Sequence, residues 1–103
     1  MEREYILSKE YILSLIEFGA KVADVCEEGV ISYFDLDRNN EEEIDFAKAI
    51  GYETAKRVVS DIIDGKIDID VTATDEKTVA IIEETIFRHL NEVVNEFKRR
   101  DDE

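Results

Sequence analysis

In FDLDRNNEEEIDF, residues 34–46, Asp35, Asp37 and Asn39 stand at alternate positions, and three oxygen-bearing side chains at that spacing match the first, third and fifth ligands of a calcium loop. The rest of the stretch departs from that chemistry. The sixth place, where Gly allows the sharp turn, holds Asn40, and the twelfth, which requires a two-oxygen Glu, holds Phe46. Asp35, Asp37 and Asn39 are therefore weak metal candidates, and the plainer reading is a strand end, a turn and an acidic helix cap. His89 has no second His or Cys at ligand spacing and reads as a packing residue at the edge of an apolar stripe. Cys26 lies within an apolar face and reads as core. Gly65-Lys66 lacks the preceding glycine of a phosphate loop. Acids are abundant, but solvated helix faces supply nothing to raise a carboxyl pKa as a general acid requires. The expectation is a protein that is not an enzyme and takes no cofactor.

The elements that would position these groups begin with a repeat. EYILS occurs at residues 4–8 and again at 10–14, and a six-residue shift turns a helix by about 240°, so the two copies cannot face the same way. From Tyr11 on, Tyr11, Ile12, Leu15, Ile16, Phe18, Val22, Ala23, Val25 and Cys26 fill one broad half of a helical wheel. The first copy fits that wheel badly. Residues 1–7 are thus expected to be an arm, with Ser8 as N-cap, Leu7 stapling on Ile12, and the helix running over 8–28.

Gly29 reads as a helix stop, followed by the β-branched and aromatic run Val30–Leu36 as a strand and Asp37–Asn40 as a turn. Asn40 caps a second helix opened by Glu41, Glu42 and Glu43, with Ile44, Ala47, Ile50, Gly51, Thr54, Ala55 and Val58 inward. Residues 58–63 read as strand or helix. The preferred reading is a hairpin joining VVSDII to KIDIDV through Asp64-Gly65, with Ile67, Ile69 and Val71 inward and Asp68 and Asp70 outward. Asp61 opposite Asp68 counts against it. Thr74 or Asp75 then caps a long last helix with the stripe Val79, Ile82, Ile86, Phe87, Leu90, Val93, Val94 and Phe97, and residues 98–103 form a charged, frayed tail. The expected fold is one α+β domain over residues 1–103: an N-terminal amphipathic helix, then strand–helix–hairpin–helix with a small sheet packed by helices. The alternative is a mostly α fold with a minimal two-stranded sheet.

The stretch IDIDVTATDEKTVAIIEETIFRHLNEVVNEF, residues 67–97, resembles the end of the small dimerising subunit of the KEOPS tRNA-modification complex, with a looser likeness over 30–66. The likeness rests on a strand ending in Ala73, Thr74 and Asp75 and a helix carrying Val79, Phe87, Arg88 and Leu90. It implies a homodimer and an accessory role in tRNA modification. The N-terminal helix and the acidity depart from that family's pattern.

Charge decides among partners. With 27 acids against 13 Lys and Arg, the net charge is -14, and such a surface repels nucleic-acid phosphates instead of displacing their counterions. A single cysteine excludes an internal disulfide. No leader or run of about 18 apolar residues announces export or a membrane span, so the expected location is cytoplasmic. Glu, Lys and Ile usage leans towards a heat-adapted, archaeal source. Three function classes follow. The first is a non-catalytic acidic interaction subunit that pairs with itself or joins a larger complex through its long helices. Its contacts are expected at Val79, Ile82, Ile86, Leu90, Val93 and Phe97, with Tyr11, Leu15 and Phe18 as a second patch. The second is an acidic decoy or inhibitor that binds a basic nucleic-acid-binding protein. The third is a metal-binding protein using the acidic loop at 35–45.

Overall fold

The computed structural model describes residues 8–102 and contains three helices, α1 (Lys9–Phe34), α2 (Glu41–Ile63) and α3 (Glu76–Asp102). Among the described residues there is no strand, so the α+β expectation and its small sheet are overturned; of the alternative, the mostly α character agrees with the structure and the two-stranded sheet does not. The expected arm at 1–7 and the Leu7 staple lie outside the described residues.

Two corrections carry physical lessons. The run Val30–Phe34 belongs to α1 because Val22, Cys26 and Val30 recur every fourth residue on the inward face, and burying them outweighs β propensity. Gly29 is exposed within the helix and stops nothing. The stop is Asp35, whose left-handed backbone (φ 53°) turns its N–H back to the Ile31 and Ser32 carbonyls. Likewise 58–63 is helix, because Thr54, Val58 and Ile62 carry on, at four-residue steps, the buried helical face begun by Ala47 and Ile50. The Asp64-Gly65 pair ends that helix instead of turning a hairpin: Gly65 takes φ 80° and its N–H donates to the Ile62 carbonyl.

The N-caps stand where expected. Ser8 Oγ accepts from the Tyr11 N–H (3.1 Å), Asn40 Oδ1 from those of Glu42 and Glu43 (3.0 and 3.3 Å), and Asp75 Oδ2 from that of Thr78 (2.9 Å). The helix of α3 continues through 98–102, the expected tail.

α1 and α2 form an antiparallel hairpin, and α3 packs along one side of it, chiefly on α2. At the closed end Val30, Ile31, Ala47, Ile50 and Val93 make one core cluster, extended by Phe46, which meets Phe34 and Phe97 edge-on with ring centroids 6.1 Å away in each case. At the open end Tyr11, Leu15, Val58, Ile62 and Ile69 make another. Residues 66–75 cross this end as an irregular segment: Ile69 is buried, Ile67 and Val71 partly so, while Asp68 and Asp70 face solvent. The inward and outward alternation is the expected one, but it closes the bundle instead of pairing a strand.

Candidate functional site

The helices that build the core leave apolar surface open in two places: beside Tyr33 and Phe87 between α1 and α3, where Phe87 of the expected inward stripe faces solvent, and along the outer face of the α1–α2 hairpin. On the side of the hairpin away from α3, α1 contributes Ile12, Leu15, Ile16, Gly19, Ala20 and Ala23, and α2 contributes Tyr52, Ala55, Lys56, Val59 and Ile63, to an open groove of about 700 Å³. Its ridges are exposed large apolar side chains: Ile12 43%, Ile16 63%, Tyr52 68% and Ile63 48%. The local sequence explains both ridge and floor. Ile12, Ile16, Ala20 and Ala23 follow one another at four- and three-residue steps, so they share a face; Tyr52, Val59 and Ile63 do the same on α2 at steps of seven and four. Gly19 and Gly51 let the two backbones approach. A Cβ on Gly51 would stand 2.5 Å from the Ala23 carbonyl oxygen and 3.2 Å from the Glu27 nitrogen, and one on Gly19 would stand 3.3 Å from Val59. The face runs about 17 Å along each helix (eleven residue steps at 1.5 Å), with large apolar side chains exposed on both of its ridges.

The groups singled out for chemistry sit elsewhere and have structural partners. Asp35 is the α1 C-cap; Asp37 accepts from the Asn39 N–H (2.9 Å) and donates its own N–H to Glu43 (3.2 Å). Asp35, Asp37 and Asn39 thus shape the α1–α2 turn. Among the described residues no three His, Cys, Asp or Glu side chains gather as a metal site. Cys26 is buried, and burial pushes its thiol up to about 11. Asp70, accepting from the Thr72 hydroxyl (2.6 Å) and N–H (2.9 Å), and Asp75, accepting from the Thr78 N–H, lie below the usual carboxylate range for those reasons.

His89 does more than pack. Its side chain bridges Asp61 of α2 (Nε2, 2.7 Å) and Glu92 of α3 (Nδ1, 3.0 Å). Across the same helix pair Arg57 makes a forked pair with Glu96 (2.9 and 2.7 Å) and bonds Glu53 (3.1 Å), and these carboxylates raise its pKa further. Two polar clamps therefore tie α3 to α2.

Of the expected contact residues, Tyr11, Leu15 and Val93 are buried and Phe18, Ile82, Ile86, Leu90 and Phe97 are partly buried within the chain, while Val79 stays at the exposed edge. Sequence reasoning missed Tyr52, Val59 and Ile63. The available signal was the breadth of the α1 apolar arc, which runs from Phe18 round to Ile16 and is wider than one neighbour can cover.

Among the described residues no helix is long and apolar enough to cross a membrane. No protein-family model, no curated protein and no solved structure matches the chain.

Proposed function

We propose that this protein is a non-catalytic association subunit that pairs with a second copy of itself through the outer face of the α1–α2 hairpin. The observation that carries the reading is the open groove bounded by Ile12, Ile16, Tyr52 and Ile63. A second hairpin supports it as the occupant on two grounds. It offers ridges of the same length, so two hairpins face to face form a four-helix layer with both apolar faces removed from water. The groove's edges also differ in sign, Glu17 and Asp24 flanking the α1 row and Lys56 lining the α2 side, which a twofold copy answers in kind. The non-catalytic part rests on the ionisable groups with displaced pKa values, which are caps, a turn residue, ion pairs or core.

The test is the mass in solution over a range of concentrations at about 0.15 M salt, where the repulsion between two chains of net charge -14 is screened beyond roughly 8 Å. The expected result is twice the chain mass for the parent and the chain mass for Ile16→Glu, with the helical content of both unchanged. A parent that stays monomeric at every concentration, or a dimer indifferent to Ile16→Glu, overturns the reading.

A further inference from the structure

The charge pattern beside the groove specifies how the two copies are arranged, an inference that rests on the self-association reading above. Two rotations bring the apolar faces together. A twofold axis along the helices places α1 against the partner's α2, antiparallel. A twofold axis across the helices places α1 against the partner's α1 and α2 against the partner's α2.

The level of each residue along the hairpin follows from the close approaches. Gly19 stands beside Val59, and Gly51 stands against Ala23 and Glu27, so each step up α1 matches a step back along α2. Lys56 is therefore level with Ala20, between Glu17 and Asp24, and Lys48 lies at the level just past Glu27. Seven residues separate Glu17 from Asp24, which puts both on the edge of α1 away from α2; Glu27, four after Ala23, continues the apolar row. On α2, Lys48, Tyr52 and Lys56 are spaced by four and share the exposed face. Lys9 and Asp45, like Glu27 and Lys48, fall outside the apolar stretch of residues 12–23 and 52–63, and Lys21 points to the far side of α1.

An axis along the helices preserves level and lays the outer edge of α1 over the outer edge of the partner's α2. Lys56 then meets Glu17 and Asp24 across the interface, twice by symmetry. An axis across the helices lays the acidic edge of α1 on its own copy and the lysine row of α2 on its own copy. From this contrast we infer that the dimer is built with α1 over the partner's α2, the charged edges selecting against the alternative.

The experiment exploits the symmetry. In a Lys56→Glu homodimer both edge contacts become acid against acid, and in an Asp24→Lys homodimer Lys56 keeps Glu17 but faces a second lysine in place of Asp24 at both contacts. A mixed dimer restores opposite charges at one contact and keeps the native pair at the other. Each variant alone is expected to self-associate about tenfold more weakly than the parent at ~0.05 M salt. An equimolar mixture is expected to associate more tightly than either variant alone, short of the parent because Glu17 still opposes the introduced glutamate, with the effect shrinking as salt is raised. Parent dimers that Ile16→Glu dissociates, together with a charge-swapped mixture that shows no recovery, overturn the arrangement and leave self-association standing. A monomeric parent overturns both.

Discussion

The α1–α2 hairpin has two apolar faces with different fates. Towards α3, Ile50, Val58 and Val93 are 0% exposed and Thr54 sinks its hydroxyl onto the Ile50 carbonyl (2.8 Å), so no buried side-chain polar atom among the described residues is left without a partner. Away from α3, side chains of the same size and kind stand in the open. Polar clamps mark the covered face, where Arg57–Glu96 and His89–Asp61 fix α3 against α2. Separate charges mark the open one, where the lysines stand on α2 and the acids on α1. Apolar content alone therefore does not define a core. A row is interior when a neighbour of matching length covers it, and on this hairpin α3 is such a neighbour for one of the two faces.

Breaking the covered face gives the largest effects. Ile50→Ala removes a fully buried side chain between all three helices and is expected to cost about 3 kcal/mol, read from the denaturant midpoint at unchanged slope. Gly51→Ala tests the closeness of α1 and α2. Helix propensity alone would reward it by about 1 kcal/mol, but the new Cβ meets backbone 2.5 Å away, which cannot yield as a flexible side chain does. A net loss of about 2 kcal/mol is expected in thermal melts, and a net gain would mean that the helices separate freely.

Much of this contrast was legible in the residues. The three N-caps, the inward row of α2 and the alternation of Ile67, Ile69 and Val71 follow from local chemistry. Two signals misled, for one reason. VISYF and VVSDII carry strand-forming residues, yet both sit at helix ends where a four-residue rhythm of burial continues from the preceding turns, and packing against a neighbouring helix overrides propensity. Gly29 and Gly65 show the same limit: only the chain beyond each glycine decides whether the helix passes through or stops. The open face was the least legible. Ile12 and Ile16 fall on the same apolar half of the wheel as Leu15 and Cys26, and wheel position gives the direction of a side chain but not the number of helices available to cover it.

The end of the bundle offers a smaller test. The Tyr11 hydroxyl donates to the Ile69 carbonyl (3.2 Å), pinning the 66–75 segment over the open-end cluster. Burial, opposed by the Val71 backbone and reinforced by Asp70 and Asp68, raises its pKa above the ordinary value of 10.0. A folded pKa above the unfolded one means that the contribution is whole below pH ~10 and is lost as pH rises through the folded value, because the unfolded chain gives up its proton first. Tyr11→Phe is therefore expected to cost about 1 kcal/mol at neutral pH. It should also flatten that part of the alkaline fall in stability, read as melting temperature against pH.

The smallest effect on folding belongs to the open face, and its smallness sharpens the comparison. Ile16 is 63% exposed, so Ile16→Gln removes little buried area from the single chain and replaces a β-branched residue with a good helix former. At concentrations too low for association its stability should match the parent within about 0.5 kcal/mol. At high concentration the two should part, since a dimer that binds only the folded chain lifts the parent's melting temperature as concentration rises. Ile16→Gln, with a polar amide on the central ridge, should melt at nearly the same temperature throughout. A large loss already at dilution would instead place Ile16 among the side chains that hold the monomer together, and the two faces would no longer differ in kind.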